Sequence, residues 1–335
     1  MWSRHFRIFA FVAVVLAALP LGQATSEEHV ATAKSAYRRP AGAPPGPADN
    51  PPSVAKIRLG GMLFRDRRLS GDDTLACVDC HRPAQDWQDG LPRARGAGGI
   101  ILRRRTPSLY DVAWGETFFW DGRAASLEAQ ALGPIEAPDE MNLPVAKLVE
   151  RLQGIDMYRD LFADAFPDAP AITPESVAKA LAAFERSIVS GTTPFDRWVE
   201  GDESAIDAAA KRGFALFNGK ANCSSCHSGW RLTDDGFHDI GLPSDDSGRG
   251  PVIAVPLLNH AFKTPSLRNV ARRAPYMHDG SLPDLHAVVN HYADGILDRP
   301  TLSDDLKRIT LSEMEREDLV AFLQALSDDG PHDGQ

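Results

Sequence analysis

A chain of 335 residues, 43% apolar and 24% charged, is long enough for one large or two medium domains and is balanced like a water-soluble globular protein. Its formal charge of −10 offers no basic field to hold phosphates, which excludes a general nucleic-acid binder.

The chain opens on a short basic head, Arg4, His5 and Arg7, followed by an apolar run from Ile8 to Leu21 and the small-residue phrase Gly22-Gln23-Ala24. This is the pattern of a secretory signal peptide over residues 1–24, with a mature chain beginning near Thr25. The run is short for a bilayer span, and no later stretch is long and apolar enough, so the expectation is an exported, periplasmic protein with no stable membrane insertion. An uncleaved anchor is the alternative. Residues 25–53 carry Pro40, Pro44, Pro45, Pro47, Pro51 and Pro52 and read as a flexible lead-in without regular structure.

Cys77-Val78-Asp79-Cys80-His81 follows, and Cys223-Ser224-Ser225-Cys226-His227 repeats its pattern. Four cysteines in an exported chain ordinarily suggest two disulfides, but C-x-x-C-H is the c-type haem attachment pattern. Two thiols add to the two vinyl groups of one porphyrin, and the adjacent histidine lies under the iron as proximal ligand. A zinc site or a thioredoxin-like pair would also use C-x-x-C, and each leaves both following histidines to coincidence.

Between and after these motifs the pattern is helical, with long loops and no convincing alternating strands. Thr173-Pro174-Glu175 opens a helix with an N-cap and a first-turn proline, and Gly191 stands where it would end. A second helix is expected from about Ser204 to Phe217. The last begins at the capping box Ser312-Glu313-Met314-Glu315, with Leu319, Phe322, Leu323 and Leu326 on one apolar stripe.

An internal repeat organises the whole. Thr106-Pro107-Ser108-Leu109 recurs as Thr264-Pro265-Ser266-Leu267, and without a gap Val112-Ala113 matches Val270-Ala271, Asp121-Gly122 matches Asp279-Gly280, and Leu127 matches Leu285. A Gly-x-x-Leu-Phe phrase precedes each haem motif, at residues 60–64 and 213–217. The fold class expected is mainly α: two related cytochrome c-like haem domains, 54–198 and 199–330.

The repeat also compares the two irons. A sixth ligand favours electron transfer, whereas an open position binds peroxide or oxygen. At one aligned position the second half has Tyr292 and the first has Pro134, which carries no side-chain donor. Residues 82–105 contain no His and no Met to cap the first iron. Tyr292 is therefore the expected distal ligand of the second haem, with Met277 as its rival and His278 or His291 also in reach, while the first haem stays open. A phenolate ligand stabilises ferric and higher states, because its negative charge offsets charge on the metal.

From about Ala55 to Ser327 the chain resembles the bacterial dihaem cytochrome c peroxidase family, and within it the MauG-type enzymes. The phrases are Thr106-Pro107-Ser108, Phe119-Trp120-Asp121-Gly122-Arg123, Glu140-Met141, Phe262 to Val270 and Pro275-Tyr276-Met277-His278-Asp279-Gly280. The resemblance implies that Trp120 couples the two haems electronically and that Glu140 shuttles a proton during O–O cleavage. Gln130 and Pro134 fall at the other distal-pocket positions. Tyr292 stands where the peroxidases have methionine and MauG-type enzymes tyrosine, and no histidine capping the first haem is visible. One departure concerns calcium. The family commonly has an Asn before the Thr-Pro phrase that helps hold Ca²⁺ between the haems; Arg105 is here instead, and a guanidinium cannot coordinate a cation. Backbone carbonyls near Arg273 and Pro275 are what remains to hold the ion, and the charge of Arg105 is a ready substitute for it.

The leading expectation is an oxidase that uses hydrogen peroxide at the open haem, forms a high-valent state shared by both haems, and oxidises a residue on a protein substrate by long-range electron transfer. A peroxidase drawing electrons from a small cytochrome or copper protein is one alternative, and a non-catalytic dihaem electron carrier another.

Overall fold

The structure, a computed structural model, describes residues 32–328. The expected leader, 1–24, lies outside the described residues. No helix among the described residues is long and apolar enough to cross a membrane.

Each half is built on a crossing of two helices. In the first half α1 (Val54–Phe64) crosses α5 (Pro174–Arg186); between them in sequence lie α2 (Leu127–Ala131), α3 (Val145–Gln153) and α4 (Asp156–Ala165). In the second half, after α6 (Pro194–Val199), α7 (Ala208–Asn218) crosses α9 (Glu313–Ala325), with α8 (Leu285–Asn290) alongside. The glycine of each Gly-x-x-Leu-Phe phrase explains the crossing. A Cβ on Gly60 would stand 2.0 Å from the Ala180 carbonyl oxygen, and one on Gly213 would stand 1.9 Å from that of Asp318. Only a residue without a side chain lets the backbones approach so closely. Phe64 then packs on Phe184, and Phe217 on Phe322, with ring centroids 5.1 and 5.0 Å apart.

The terminal helix begins as expected, with Ser312 and Glu315 capping each other, and Leu319, Phe322, Leu323 and Leu326 are all buried. Thr173 likewise caps α5. That helix stops at Arg186 rather than Gly191, because the Ser187 hydroxyl takes the Phe184 carbonyl at 2.6 Å and competes with the helix ladder. α7 starts at Ala208 rather than near Ser204: Asp202 holds the N–H and hydroxyl of Ser204 in a turn, and Asp207 is the cap that accepts from Ala210. The only paired strands among the described residues are β1 (Phe237–His238) and β2 (Phe262–Lys263), antiparallel and two residues long.

Two apolar cores follow from this arrangement. One gathers Leu59, Phe64, Leu148, Phe162, Leu181 and their neighbours up to Ile188; the other joins Tyr37 to Phe195, Trp198, Phe214, Phe217, Phe322 and Leu326. The expected boundary near residue 198 thus falls within α6, whose Phe195 and Trp198 anchor it to the second core. The lead-in is irregular beyond residue 37 but is not loose. Tyr37 is buried against Phe195 and Phe214, and the Asn50 amide donates to Glu128 and the Lys179 carbonyl. Burial of those two side chains holds the segment across both halves.

The halves meet in reciprocal fashion. The Arg105 N–H donates to the His278 carbonyl, and the Lys263 N–H donates to the Trp120 carbonyl, both at 2.8 Å. Arg105 and Lys263 are equivalent in the repeat, as are Trp120 and His278, so the seam has the self-complementary form of a pseudo-two-fold interface.

Candidate haem cavity

A single cavity of about 710 Å³ runs through both halves, and both C-x-x-C-H segments border it. Cys77–Cys80 forms one helical turn whose N–H at His81 returns to the Cys77 carbonyl; Cys223–Ser225 makes the matching turn, with His227 returning to Cys223. All four cysteines are free thiols. Burial pushes the Cys77 thiol well up, Cys223 up to about 12 and Cys80 up to about 11.

The two histidines are oriented alike. His81 Nδ1 lies 3.1 Å from the Trp87 carbonyl oxygen, and His227 Nδ1 lies 2.9 Å from that of Leu232. A carbonyl only accepts, so Nδ1 carries the hydrogen and Nε2 keeps its lone pair for a metal. Burial lowers both imidazole pKa values, which holds the rings neutral and able to ligate. Phe64 and Phe217 lie beside them, at 6.3 and 6.5 Å between ring centroids.

Gln130, Pro134 and Glu140 all border the cavity. Pro134 sits in the first turn of a short helix, Gly133–Glu136, that breaks away from α2. Glu140 is fixed by its backbone, which donates to the Ala137 carbonyl and accepts from the Ala97 N–H. Burial raises the pKa of its carboxyl, and the Arg123 cation opposes that shift. Arg123 itself lies over the Phe119 ring at 3.4 Å. In the second half no such break occurs. α8 runs on into a wide turn, His291–Gly295, and Tyr292 borders the cavity from it. The phenol has no hydrogen-bond partner among the described residues, and burial raises its pKa, with Cys223 and Cys226 adding to the shift.

The rival ligands differ. Met277 borders the cavity, but His278 stacks on Phe262 at 3.6 Å with Nε2 beside the Ser244 hydroxyl, and His291 Nε2 donates to the Ile240 carbonyl. The two imidazoles are tied elsewhere. Trp120 borders the cavity at the seam, and its indole N–H donates to the Arg105 carbonyl at 3.0 Å.

Three further features lie at the cavity and the seam, and of these the sequence had singled out only Arg105. Arg104 bridges Asp121 of the first half and Asp246 of the second, at 2.6 and 2.8 Å. The Arg105 guanidinium is buried at the seam, where it bonds Gln88 and the Arg273 carbonyl. Glu185 is buried, borders the cavity and has its pKa raised by desolvation to about 8. Glu185 also left a signal: it follows Ala178 and Leu181 at helical spacing, a carboxylate on an apolar stripe.

The donor set fits haem. The cavity joins two neutral imidazoles, two thiol pairs and a lining of Leu, Val, Phe and Met side chains. Among the described residues, the buried polar atoms without a partner include Arg105 Nε, Arg273 Nε, Thr117 Oγ1 and Glu185 Oε2, all on residues that line it, and the first three are donors suited to a haem's carboxylates. The seam does not fit calcium, since guanidinium groups occupy it.

Comparison with known proteins agrees. The di-haem cytochrome c peroxidase profile matches residues 54–204 and the cytochrome c profile residues 210–327. The methylamine utilization protein MauG of Methylorubrum extorquens is 52% identical over 304 residues, covering 90% of this chain and 86% of that protein. The chain belongs to the di-haem cytochrome c peroxidase and MauG family. Its cofactor is haem, and the family is one of haem-dependent peroxidases and oxidases. The cytochrome-c peroxidase IdrP1 of Denitromonas iodatirespirans is more distant, at 38% identity over 84% of each chain. A solved MauG-like protein associated with microbial copper homeostasis superposes with a TM-score of 0.79 at 33% identity, over 87% of this chain and 95% of that one.

Proposed function

We propose that this chain is an exported, periplasmic dihaem oxidase of MauG type, with haem bound covalently through Cys77 and Cys80 and through Cys223 and Cys226. His81 and His227 are the proximal ligands. The haems, when bound, supply the reduction of hydrogen peroxide and the storage of its two oxidising equivalents. Everything else falls to the chain's own residues.

One observation carries the reading: the repeat brings Pro134 to the cavity in one half and Tyr292 in the other. Pro134 offers no donor and leaves room for peroxide. The Tyr292 hydroxyl closes the second site as a distal ligand. Glu140, which lines the same cavity as Pro134, accepts a proton from the inner peroxide oxygen and returns it to the leaving one, a role that suits a carboxyl whose pKa is raised by burial. Gln130 orients the bound peroxide by hydrogen bonding. Trp120, bonded to Arg105 at the seam, carries oxidising equivalents between the halves. The final reductant is a residue on a partner protein, reached without contact between that residue and the peroxide site. The greater identity to a MauG protein than to peroxidase relatives supports this over simple peroxide scavenging.

Mixing the ferric holoprotein with stoichiometric peroxide tests it by optical and EPR spectroscopy. A long-lived oxidised signature without prior reduction is expected. Reactivity only after one-electron reduction would instead mark a peroxidase fed by a small redox protein, and inertness an electron carrier. Tyr292→Phe should alter the second haem's spectrum and abolish the long-lived signature while both haems stay attached. An unaltered spectrum would transfer the ligand role to Met277.

A further inference from the structure

We infer that Arg105 is a built-in cation that takes the place of a divalent ion between the two halves and positions Trp120, so that this protein works without calcium. The argument starts from where the residue reaches. Its backbone N–H donates to the His278 carbonyl of the second half at 2.8 Å, and its carbonyl accepts the Trp120 indole N–H at 3.0 Å. Its guanidinium bonds the Gln88 side chain of the first half and, at 3.0 Å, the Arg273 carbonyl of the second. One residue thus holds both halves and the tryptophan between them.

A divalent ion has no place in that arrangement. The Arg273 carbonyl, one of the oxygens left to coordinate one, is already capped by an N–H donor. The charges also oppose it. Arg105 is 7% exposed, and its pKa is lowered to about 10 by burial and by the neighbouring Arg273 cation. Arg273 is half-buried with its Nε shielded from solvent, and its guanidinium donates to the Ser266 carbonyl at 2.5 Å. Two guanidinium groups already supply the charge that an ion would bring. Their counter-charges are Asp89, buried and accepting from the Thr106 hydroxyl at 2.9 Å, and Asp86, bonded to Asn269 across the seam at 2.9 Å. A guanidinium adds what a sphere cannot: fixed donor directions, which set the angle between the halves rather than only their attraction.

The positioning of Trp120 rests on its proposed role between the haems, whereas the replacement of the ion does not. Two sets of measurements therefore fail separately. Holoprotein exchanged into EGTA is analysed for calcium by mass spectrometry and for its thermal midpoint with and without added Ca²⁺. Less than one tenth of an equivalent and an unchanged midpoint are expected; one tightly held Ca²⁺ per chain, or a midpoint that falls on chelation, overturns the replacement. Arg105→Asn removes the cation and offers an oxygen ligand, and its midpoint should become responsive to millimolar Ca²⁺. A folded variant indifferent to the ion also counts against the inference. Arg105→Lys keeps the charge without the fork, serves if the Asn variant does not fold, and should remain indifferent to Ca²⁺.

Positioning is read by spectroelectrochemical titration of the two haems. Wild type should titrate as a coupled pair; Arg105→Lys and Trp120→Phe should both titrate as independent centres, with neither restored by Ca²⁺. Coupling that survives in Arg105→Lys but not in Trp120→Phe removes Arg105 from the positioning role and leaves the replacement of the ion standing.

Discussion

The two halves of the chain share the cage on one side of each haem site and differ on the other. On the shared side the correspondence is close: Gly60 and Gly213 admit the same helix crossing, Phe64 and Phe217 flank the histidines, and each imidazole Nδ1 is tied to a carbonyl a few residues on. Asp111 and Asn269, equivalent in the repeat, both take the left-handed conformation, with φ of 59° and 57°. On the other side, Ser126 and Asp284 cap equivalent helices, and then the paths part. The first breaks into a new turn at Gly133–Glu136 with Pro134 in it; the second widens at His291–Gly295 and turns Tyr292 inward. A duplicated scaffold thus brings two like C-x-x-C-H segments to one cavity, and local changes in one turn give the two copies different linings.

The comparison breaks most severely if the haem motifs are not what hold the cofactor. Cys77→Ala with Cys80→Ala should leave one covalent haem, counted by mass and pyridine haemochrome, and lose the peroxide response altogether. Cys223→Ala with Cys226→Ala should also leave one haem, but with a peroxide-binding site that no longer produces the long-lived signature. Identical phenotypes for the two pairs would erase the functional difference between halves.

Glu140→Gln sharpens the contrast at one side chain. The reaction with peroxide should slow by roughly 10²–10⁴-fold, the range of a lost general acid–base group, with the haem count unchanged. Because burial raises the carboxyl pKa, wild-type reactivity should fall off with acidification at a higher pH than for an exposed glutamate. Asp298, an exposed carboxylate of the second half paired with Arg308 at 3.0 Å, is the control, and its Asn variant should react as wild type. Stopped-flow absorbance decides both.

How much of this was readable in advance depends on whether the cause is local. The Thr173 and Ser312 caps and the buried stripe of α9 are set by residues within a few positions of one another, and they stand as read. The Gly-x-x-Leu-Phe repeat was visible, but not its reason, since the Ala180 and Asp318 carbonyls that forbid a Cβ lie far along the chain. The prolines of the lead-in exclude a helix but say nothing of Tyr37, whose burial depends on Phe195 and Phe214. Arg104 looks like one member of a basic run; only the fold brings Asp246 to it. The inward turn at Tyr292 has no local signature, and it was found by alignment with Pro134 instead.

The shared crossing makes a prediction of intermediate size. Gly60→Ala and Gly213→Ala each force a methyl into a carbonyl oxygen, and each should destabilise its half by about 1–3 kcal/mol, the usual cost of overpacking. Calorimetry should show matched losses. A penalty in one half only would mean that the crossings carry unequal weight despite their matched geometry.

The smallest effect belongs to the seam, which depends on charge where the two cores depend on apolar packing. Burial acts to raise the Asp246 pKa, but the Arg104 bonds at 2.8 and 2.9 Å and the Gly248 N–H outweigh it and hold the carboxyl down at about 2. A carboxyl depressed on folding stabilises the folded state above its unfolded pKa, near 4, and that contribution is lost as the pH falls toward 2. Allowing for solvent screening, it amounts to about 1–2 kcal/mol. Asp246→Asn should therefore lower stability at neutral pH by that amount and flatten the pH dependence of unfolding between about 4 and 2, measured by denaturant titration. High salt should shrink the difference between wild type and variant, because screening weakens a partly exposed pair and leaves the Gly60 and Gly213 crossings untouched. If salt left that difference unchanged, Asp246 would be acting through the bond its carboxylate accepts from the Gly248 N–H, and the seam would be held by its other bonds, those of Arg105, Lys263 and Asn269 among them.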